Sequence, residues 1–283
     1  MICFVLLNYN AFDVTINCVQ NIEKLSIKEK KIIIVDNDSQ NDFQRLLAFF
    51  KNDEVIEVVE THSNGGFAKG NNIGYEFSRK YTPKFIVIMN NDMEILSNDF
   101  EDKLETAYKN TDFDVLGPDI YSVKYKYHQN PQRIDNYSLN ELKKMRNEYF
   151  LKIYLRPVFW LKWKVLAKFI NFGSNVQKNT IEPLPGKSYP LHGSFYVFSK
   201  RFIDNNEYPF YEGTFMYMES YILYYLLQKK NERIVYNPSI VVNHFEDIST
   251  DRAYNDGYKK AVFTNKCMYN SLNAFIGLMK HGE

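Results

Sequence analysis

KFIVIMNND (84–92) decides the fold. Phe85 to Met89 form an unbroken apolar run with no polar face, so the strand they make is buried on both sides, as in a parallel sheet with helices above and below. The same design repeats upstream. ICFVLL (2–7), KIIIVD (31–36) and EVIEVVE (54–60) read as strands, and the stretches near 12–25, 40–51 and 67–80 read as the helices between them. This βαβα rhythm predicts an α/β fold: a Rossmann-like, mostly parallel sheet with helices on both faces. Ligands of such sheets bind outside the carboxyl ends of the strands. Those ends read NYN (8–10), DNDS (36–39), THSNGG (61–66) and NND (90–92), all polar or turn-forming, so a ligand site is expected there.

The rhythm breaks after about residue 120. Residues 121–138, rich in Tyr, Asn and Pro, are expected to be irregular, and 139–172 to be helical, basic and aromatic. Gly173, Pro183, Pro185, Gly186 and Pro190 mark 173–190 as a connector. Strand character returns at SFYVFS (194–199), a helix follows at 219–230, and RIVYNP (233–238) with SIVVNH (239–244) reads as a strand pair. The tail, 252–280, is expected to be mostly helical.

Composition narrows the classes. The chain has 283 residues, 45% hydrophobic and 24% charged, values of a folded globular protein. A net charge of +1 supplies no global field for nucleic acid. Cys3, Cys18 and Cys267 form an odd, scattered set without CxxC spacing, which argues against a disulfide framework or zinc site and fits a reducing cytoplasm. MICFVLL (1–7) is too short for a signal peptide or a membrane span and lacks a basic flank, so it is expected to be a buried first strand.

Several residues invite chemistry. Asp36 follows the apolar Ile32 to Val35, which places its carboxylate at the ligand-facing edge. It has two readings there: acceptor for a base N–H, as N3 of uracil or thymine offers, or cap of the next helix, for which Asp38 and Ser39 are better placed. HSNGGFAKGNNIG (62–74) has glycines at 65, 66, 70 and 74 where a turn enters a helix. Without Cβ atoms, backbone N–H groups there can approach a nucleotide; the plainer reading is a glycine-rich turn, since the run is neither a Walker loop nor GxGxxG. Asp92 ends the fourth strand, where one carboxylate can serve a hard cation that also binds substrate phosphates, or merely cap a turn. Glu219, in FMYMES (215–220), is an acid among Met and aromatic residues at a helix start. It is either a working base or a first-turn carboxylate favoured by the helix dipole. Burial beside Met216, Met218 and the local tyrosines would raise its pKa. His244 follows the apolar SIVV strand, a place for a ligand or for a satisfied structural histidine.

In chain order, LLNYN, VDNDSQND, NGGFAKGNN, MNNDMEI, HGSFYVFS, FMYMES and VNHFEDIS resemble glycosyltransferase family 2, in the rhamnosyltransferase-like bacterial branch that builds capsule and O-antigen polysaccharides. The resemblance runs from residue 2 to about 250 and is weakest at 121–190. It implies a single GT-A domain over 1–283, made of a nucleotide-sugar-binding half (1–120), a helical insertion (121–190), an acceptor and catalytic half (191–250) and a C-terminal helix (251–283). It further implies that Asn8, Tyr9, Asn10 and Asp36 border the base and ribose, and that Asn64, Gly65, Gly66, Asn71 and Asn91 flank the nucleotide. Asp92 matches the metal-binding end of the family's DxD motif, with Asn90 replacing the first Asp. His192, Gly193 and Ser194 match a loop near donor sugar and acceptor. Glu219 falls at the acid pair that supplies the base, Ser220 standing at the second position, and His244 matches a histidine that reaches the metal or diphosphate.

The implied reaction takes a UDP- or dTDP-sugar and Mn²⁺ or Mg²⁺. Glu219 removes the proton of an acceptor hydroxyl, and direct displacement inverts the anomeric centre. The acceptor is expected to be a glycan, polyprenyl-diphosphate-linked in such pathways. Residues 142–172 carry eight basic side chains against Glu148, hence +7, while the rest of the chain carries −6. Leu155, Phe159, Trp163, Leu166 and Ile170 share a helical face, and Pro157 is expected to separate two helices. Both tryptophans, Trp160 and Trp163, lie there. The segment reads either as a peripheral contact with the cytoplasmic membrane face or as a helix pair that caps the core or makes a homodimer. Nucleic acid is not expected. A sugar-nucleotide pyrophosphorylase, like a Rossmann methyltransferase, wants a glycine-rich loop directly after the first strand, and NYN is not one. Asn90 and Ser220 keep a non-catalytic sugar-nucleotide-binding subunit as the alternative outside catalysis.

Overall fold

The computed structural model describes residues 1–155, 181–183, 187–246 and 257–282. The four apolar runs become β1 (Ile2–Asn8), β2 (Lys30–Asp36), β3 (Ile56–Glu60) and β4 (Phe85–Asn90). They pair in parallel in the spatial order β3, β2, β1, β4, with Asn8 level with Asp36 and Leu7 level with Asn90. This register brings the polar ends of three strands to one edge.

The crossovers are α1 (Phe12–Lys24), α2 (Asp42–Phe49) and α3 (Gly66–Arg79). Because side chains alternate along a strand, Phe4, Leu6, Ile32, Ile34 and Val87 pack on one face with α1. Cys3, Val5, Ile33, Val35 and Ile86 pack on the other with α3. Fully burying an aliphatic side chain of this size is worth about 1.5–3 kcal/mol. α3 lies unusually close to the sheet. A Cβ on Gly70 would stand 2.4 Å from Leu7 Cδ1, and one on Gly74 would stand 2.3 Å from Val5 Cγ1. The glycine-rich run therefore divides: Gly70 and Gly74 permit helix–sheet packing, and only Gly65 and Gly66 belong to the turn.

Beyond β4 the sheet becomes mixed. β5 (Met93–Ile95), α4 (Phe100–Thr111), β6 (Val115–Ser122) and β7 (Tyr127–His128) follow, then α5 (Leu139–Tyr154), β8 (Phe195–Ser199), α6 (Lys200–Asn205), α7 (Glu219–Lys229), β9 (Ile234–His244) and α8 (Gly257–His281). The order across the sheet is β3-β2-β1-β4-β8-β6-β9-β5, with β7 on β6. β8 runs antiparallel to β4 and β6, while β9 runs parallel to β6. The expected strand pair at 233–244 is one long strand instead. Pro238 has no N–H for the ladder, and the register slips beside it, Asn237 facing Pro118 and Val241 facing Asp119. The chain thus bulges there rather than turning back.

α5 begins with a capping box between Ser138 and Glu141 and packs Leu142 against Ile222, Leu272 and Phe275 of α7 and α8. The rest of the basic aromatic segment, 156–172 with Pro157, Trp160 and Trp163, lies outside the described residues, as do 173–180, 184–186 and 247–256. Among the described residues no helix is long and apolar enough to cross a membrane. Cys3, Cys18 and Cys267 are buried free thiols.

Candidate functional site

The site begins where β1 and β2 end side by side. Asn8 Nδ2 donates to Asp36 Oδ1 at 2.7 Å. Asn8 Oδ1 accepts from the Thr15 hydroxyl at 2.8 Å, and Thr15 Oγ1 in turn accepts from Asn91 Nδ2 at 2.9 Å. A chain of polar side chains so ties together the ends of β2, β1 and β4. Asp36 has no exposed surface, and its Oδ2 accepts from the Ser39 N–H at 3.0 Å. Neither Asp36, Asp38 nor Ser39 caps α2, whose N-cap position is Asn41; Asp36 fixes the turn before it. Asp36 thus holds the end of β2 to the end of β1 and to the turn that follows. Tyr9 and Asn10 are half-buried at the rim. Asn10 is held left-handed at φ 50°, its N–H donating to Ser39 Oγ at 2.8 Å.

Two residues that sequence reasoning passed over organise this edge. Asp42 is buried and accepts from Phe12 N–H at 3.0 Å and Asn8 Nδ2 at 3.3 Å. Asn37 donates to Asn64 Oδ1 at 3.0 Å and accepts from the Gly65 N–H at 3.1 Å, while Asn64 Oδ1 also accepts from the Gly66 N–H at 3.0 Å. Gly66 has φ +77°, and a Cβ there would lie 2.1 Å from the Phe215 carbonyl oxygen, so only glycine fits. The next N–H, of Phe67, donates to that same carbonyl at 2.8 Å. The turn is thereby fastened to the loop that leads to Glu219. Asn71, 1% exposed, donates to Phe67 O and leaves Oδ1 without a partner.

At the end of β4, the Asn90 N–H donates to Ser194 O at 2.8 Å, and Asp92 meets His244 at the end of β9. His244 Nε2 stands 3.4 Å from Asp92 Oδ1, an atom with no hydrogen-bond partner. Both residues are only 6% exposed. A buried carboxylate oxygen left without a donor is costly, and one nitrogen and one oxygen at this separation fit two ligands of a single cation with bonds of about 2.1 Å. Among the described residues no third His, Cys, Asp or Glu joins them. The pair thus suits an ion completed by ligand oxygens.

The 192–194 loop links this pair to Glu219. His192 and His244 rings are 5.6 Å apart, and His192 Nδ1 and Ser194 Oγ are 2.8 Å apart. Removal from water, and then the neighbouring His244, hold the His192 imidazole well below the usual histidine range and so neutral. The His192 N–H donates to Asn130 Oδ1 at 2.6 Å. A Cβ on Gly193 would lie 3.7 Å from Ser220 Cβ, next to Glu219.

Glu219 is the first residue of α7 and is 8% exposed. Tyr217 (φ 73°) and Met218 (φ 70°) before it are both left-handed, which costs about 1–2 kcal/mol each for non-glycine residues. α8 braces that loop, with Ser271 Oγ donating to Met216 O at 2.8 Å and Tyr217 Oη 3.2 Å from Thr264 Oγ1. Burial pushes the Glu219 carboxyl up from 4.5 to about 7, against hydrogen bonds from its own backbone, the Thr214 side chain and the Tyr217 backbone. Its Oε1 has no partner. The arrangement offers a buried carboxyl with one free oxygen that changes protonation near neutrality.

The family model described as glycosyl transferase family 2 matches residues 3–168. No curated protein sequence matches. The fold is similar to that of S. aureus TarS 1–349 in complex with UDP-GlcNAc, at 14% identity and TM-score 0.53 over 89% of this chain and 61% of that one. The same region of TarS in complex with UDP gives 13% identity and TM-score 0.53 over 86% and 60%. GalNAc-T7 with UDP, GalNAc and Mn²⁺ gives 12% identity and TM-score 0.57 over 93% of this chain and 49% of that chain. The chain therefore spans about three fifths of the TarS structures it matches, and the likeness is one of fold.

Proposed function

The chain belongs to glycosyl transferase family 2, and from that premise we propose that it moves a sugar from a UDP- or dTDP-sugar to a hydroxyl of a glycan acceptor, with inversion. The observation that carries this reading is Glu219: a buried carboxyl whose Oε1 has no hydrogen-bond partner, beside the Ser220 that Gly193 packs against, while His192 of the same loop packs on His244. The UDP and UDP-GlcNAc complexes of TarS and the Mn²⁺ of GalNAc-T7 support a nucleotide-sugar donor and a divalent ion.

In this reading Asn8, Tyr9, Asn10 and Asp36 border the base and ribose, and Asn64, Gly65, Gly66, Asn71 and Asn91 flank the nucleotide. His192, Gly193 and Ser194 lie against donor sugar and acceptor. Asp92 and His244 hold Mn²⁺ or Mg²⁺, which when bound neutralises charge on the departing diphosphate. Glu219 takes the proton of the acceptor hydroxyl as its oxygen attacks the anomeric carbon opposite the diphosphate, so one displacement inverts that centre. A carboxyl near 7 is well matched to this work at neutral pH.

A polyprenyl-linked acceptor in bacterial surface polysaccharide synthesis is the finer reading favoured by the sequence resemblance. α5 supports a membrane-surface contact, since Phe150, Leu151 and Tyr154 are exposed beside Lys143, Lys144, Arg146 and Lys152. Co-sedimentation with anionic vesicles is expected, weakening as salt screens the charge; equal recovery with neutral vesicles or none would remove it.

The donor reading is tested by incubating the protein with UDP-hexoses and dTDP-rhamnose, with and without Mn²⁺. Slow, metal-dependent release of nucleoside diphosphate from one donor is expected. Nucleotide binding without turnover of any donor, even with oligosaccharide acceptors, would favour the non-catalytic binding subunit.

A further inference from the structure

We propose that Gln129 and Glu246 are positioning residues that present His244 Nε2 as a bare lone pair for the cation. This inference rests on the reading of Asp92 and His244 as the cation site. A carboxylate only accepts hydrogen bonds, so Gln129 Nε2, 2.8 Å from Glu246 Oε1, is the donor in that contact. The amide is thereby oriented with its carbonyl toward His244, where Oε1 lies 2.8 Å from Nδ1. A carbonyl also only accepts, so Nδ1 carries a proton. That leaves Nε2, 3.4 Å from the unpartnered Asp92 Oδ1, as the ring nitrogen that faces the carboxylate.

A cation binds imidazole only through a lone pair, and a proton fixed on Nδ1 reserves Nε2 for that bond, beside the orphaned Asp92 Oδ1. A divalent ion bound by both atoms satisfies both. The relay is itself well held. Gln129 is 6% exposed and its N–H donates to Ile120 O at 2.8 Å, while the Phe245 N–H, one residue before Glu246, donates to Asp92 O at 3.0 Å. Hydrogen bonds of this kind behind a metal-bound histidine typically alter metal affinity about 10–100-fold when lost.

The test is a Mn²⁺ titration of the whole protein, read from the paramagnetic resonance signal of the free ion, with UDP affinity in EDTA measured alongside. Gln129→Met keeps the length and removes both polar ends. It is expected to weaken Mn²⁺ binding about 10–100-fold and to leave UDP binding in EDTA unchanged. Glu246→Gln retains a carbonyl that can accept from Gln129 and is expected to bind Mn²⁺ nearly as the unaltered protein does. If Gln129→Met does not fold, Glu246→Ala, at a half-buried position, frees the amide to rotate and is expected to give a smaller loss in the same direction. Should the unaltered protein bind Mn²⁺ and both disrupting variants bind it equally well, the relay is overturned while the cation site stands. Should the unaltered protein bind no Mn²⁺ with or without UDP, the cation site falls and the relay with it.

Discussion

Glu219→Gln is expected to lower sugar transfer by roughly 10²–10⁴ while UDP–Mn²⁺ binding stays near that of the unaltered protein. Gln keeps the shape of the side chain and loses the proton acceptor. Retained transfer would remove Glu219 as base and leave Asp247, outside the described residues, as the next acid to examine. Lost binding together with lost transfer would mean that Glu219 shapes the site. A second readout reports its burial. The folded carboxyl sits at about 7 against an ordinary 4.5, so between those pH values the folded protein holds a proton that the unfolded chain has released. Stability supplied by this group is therefore full below 4.5 and is lost as pH rises to about 7, by about 3 kcal/mol in all. Glu219→Gln lacks that slope. Denaturant unfolding of both proteins at pH 4.5 and pH 8, in EDTA, is expected to show the difference shifting by about this amount in favour of the variant; parallel curves would mean that the carboxyl is not buried in solution.

The first half of the fold is readable because its strands allow one solution. Val5, Ile33 and Val87 lie in runs with no polar face, and only a sheet covered on both sides hides them. The second half hides its strands behind residues that normally break them. VLGPDIYS (115–122) contains Gly117 and Pro118, yet it forms β6, because the register shift falls at Pro118 and the missing N–H is not needed there. Pro238 misleads in the same way on the facing strand, where a bulge looks like a turn between two strands.

The candidate site is readable only as a place, the ends of β1, β2 and β4, which topology alone sets. Its supports are not. Thr15, Asn37, Asp42, Gln129 and Asn130 are polar residues in helices and turns, and nothing in their spacing distinguishes them from solvated ones. Their value lies in donors and acceptors that become fixed only when distant segments meet, as Asn130 meets the His192 N–H across 62 positions. Even the glycine-rich run misleads in part, since Gly70 and Gly74 serve packing against Leu7 and Val5.

Asp92→Ala carries the second large effect. Asp92 is 6% exposed, its Oδ1 has no donor, and His244 Nε2 faces it. If this carboxylate serves a cation, its loss matters only when a cation is present. Transfer is expected to fall roughly 10²–10³-fold, since the charge neutralisation forfeited at the diphosphate is worth several kcal/mol and each 1.4 kcal/mol is about tenfold in rate. UDP affinity in Mn²⁺ is expected to drop to the value in EDTA, and affinity in EDTA to stay near that of the unaltered protein. Stability supplies the independent check. An unpartnered buried carboxylate costs folding free energy, so in EDTA the variant should melt no lower than the unaltered protein, whereas saturating Mn²⁺ should raise the melting temperature of the unaltered protein alone. A variant that loses stability and UDP affinity equally with and without metal would make Asp92 a structural cap of the β4 turn and remove it from any cation site.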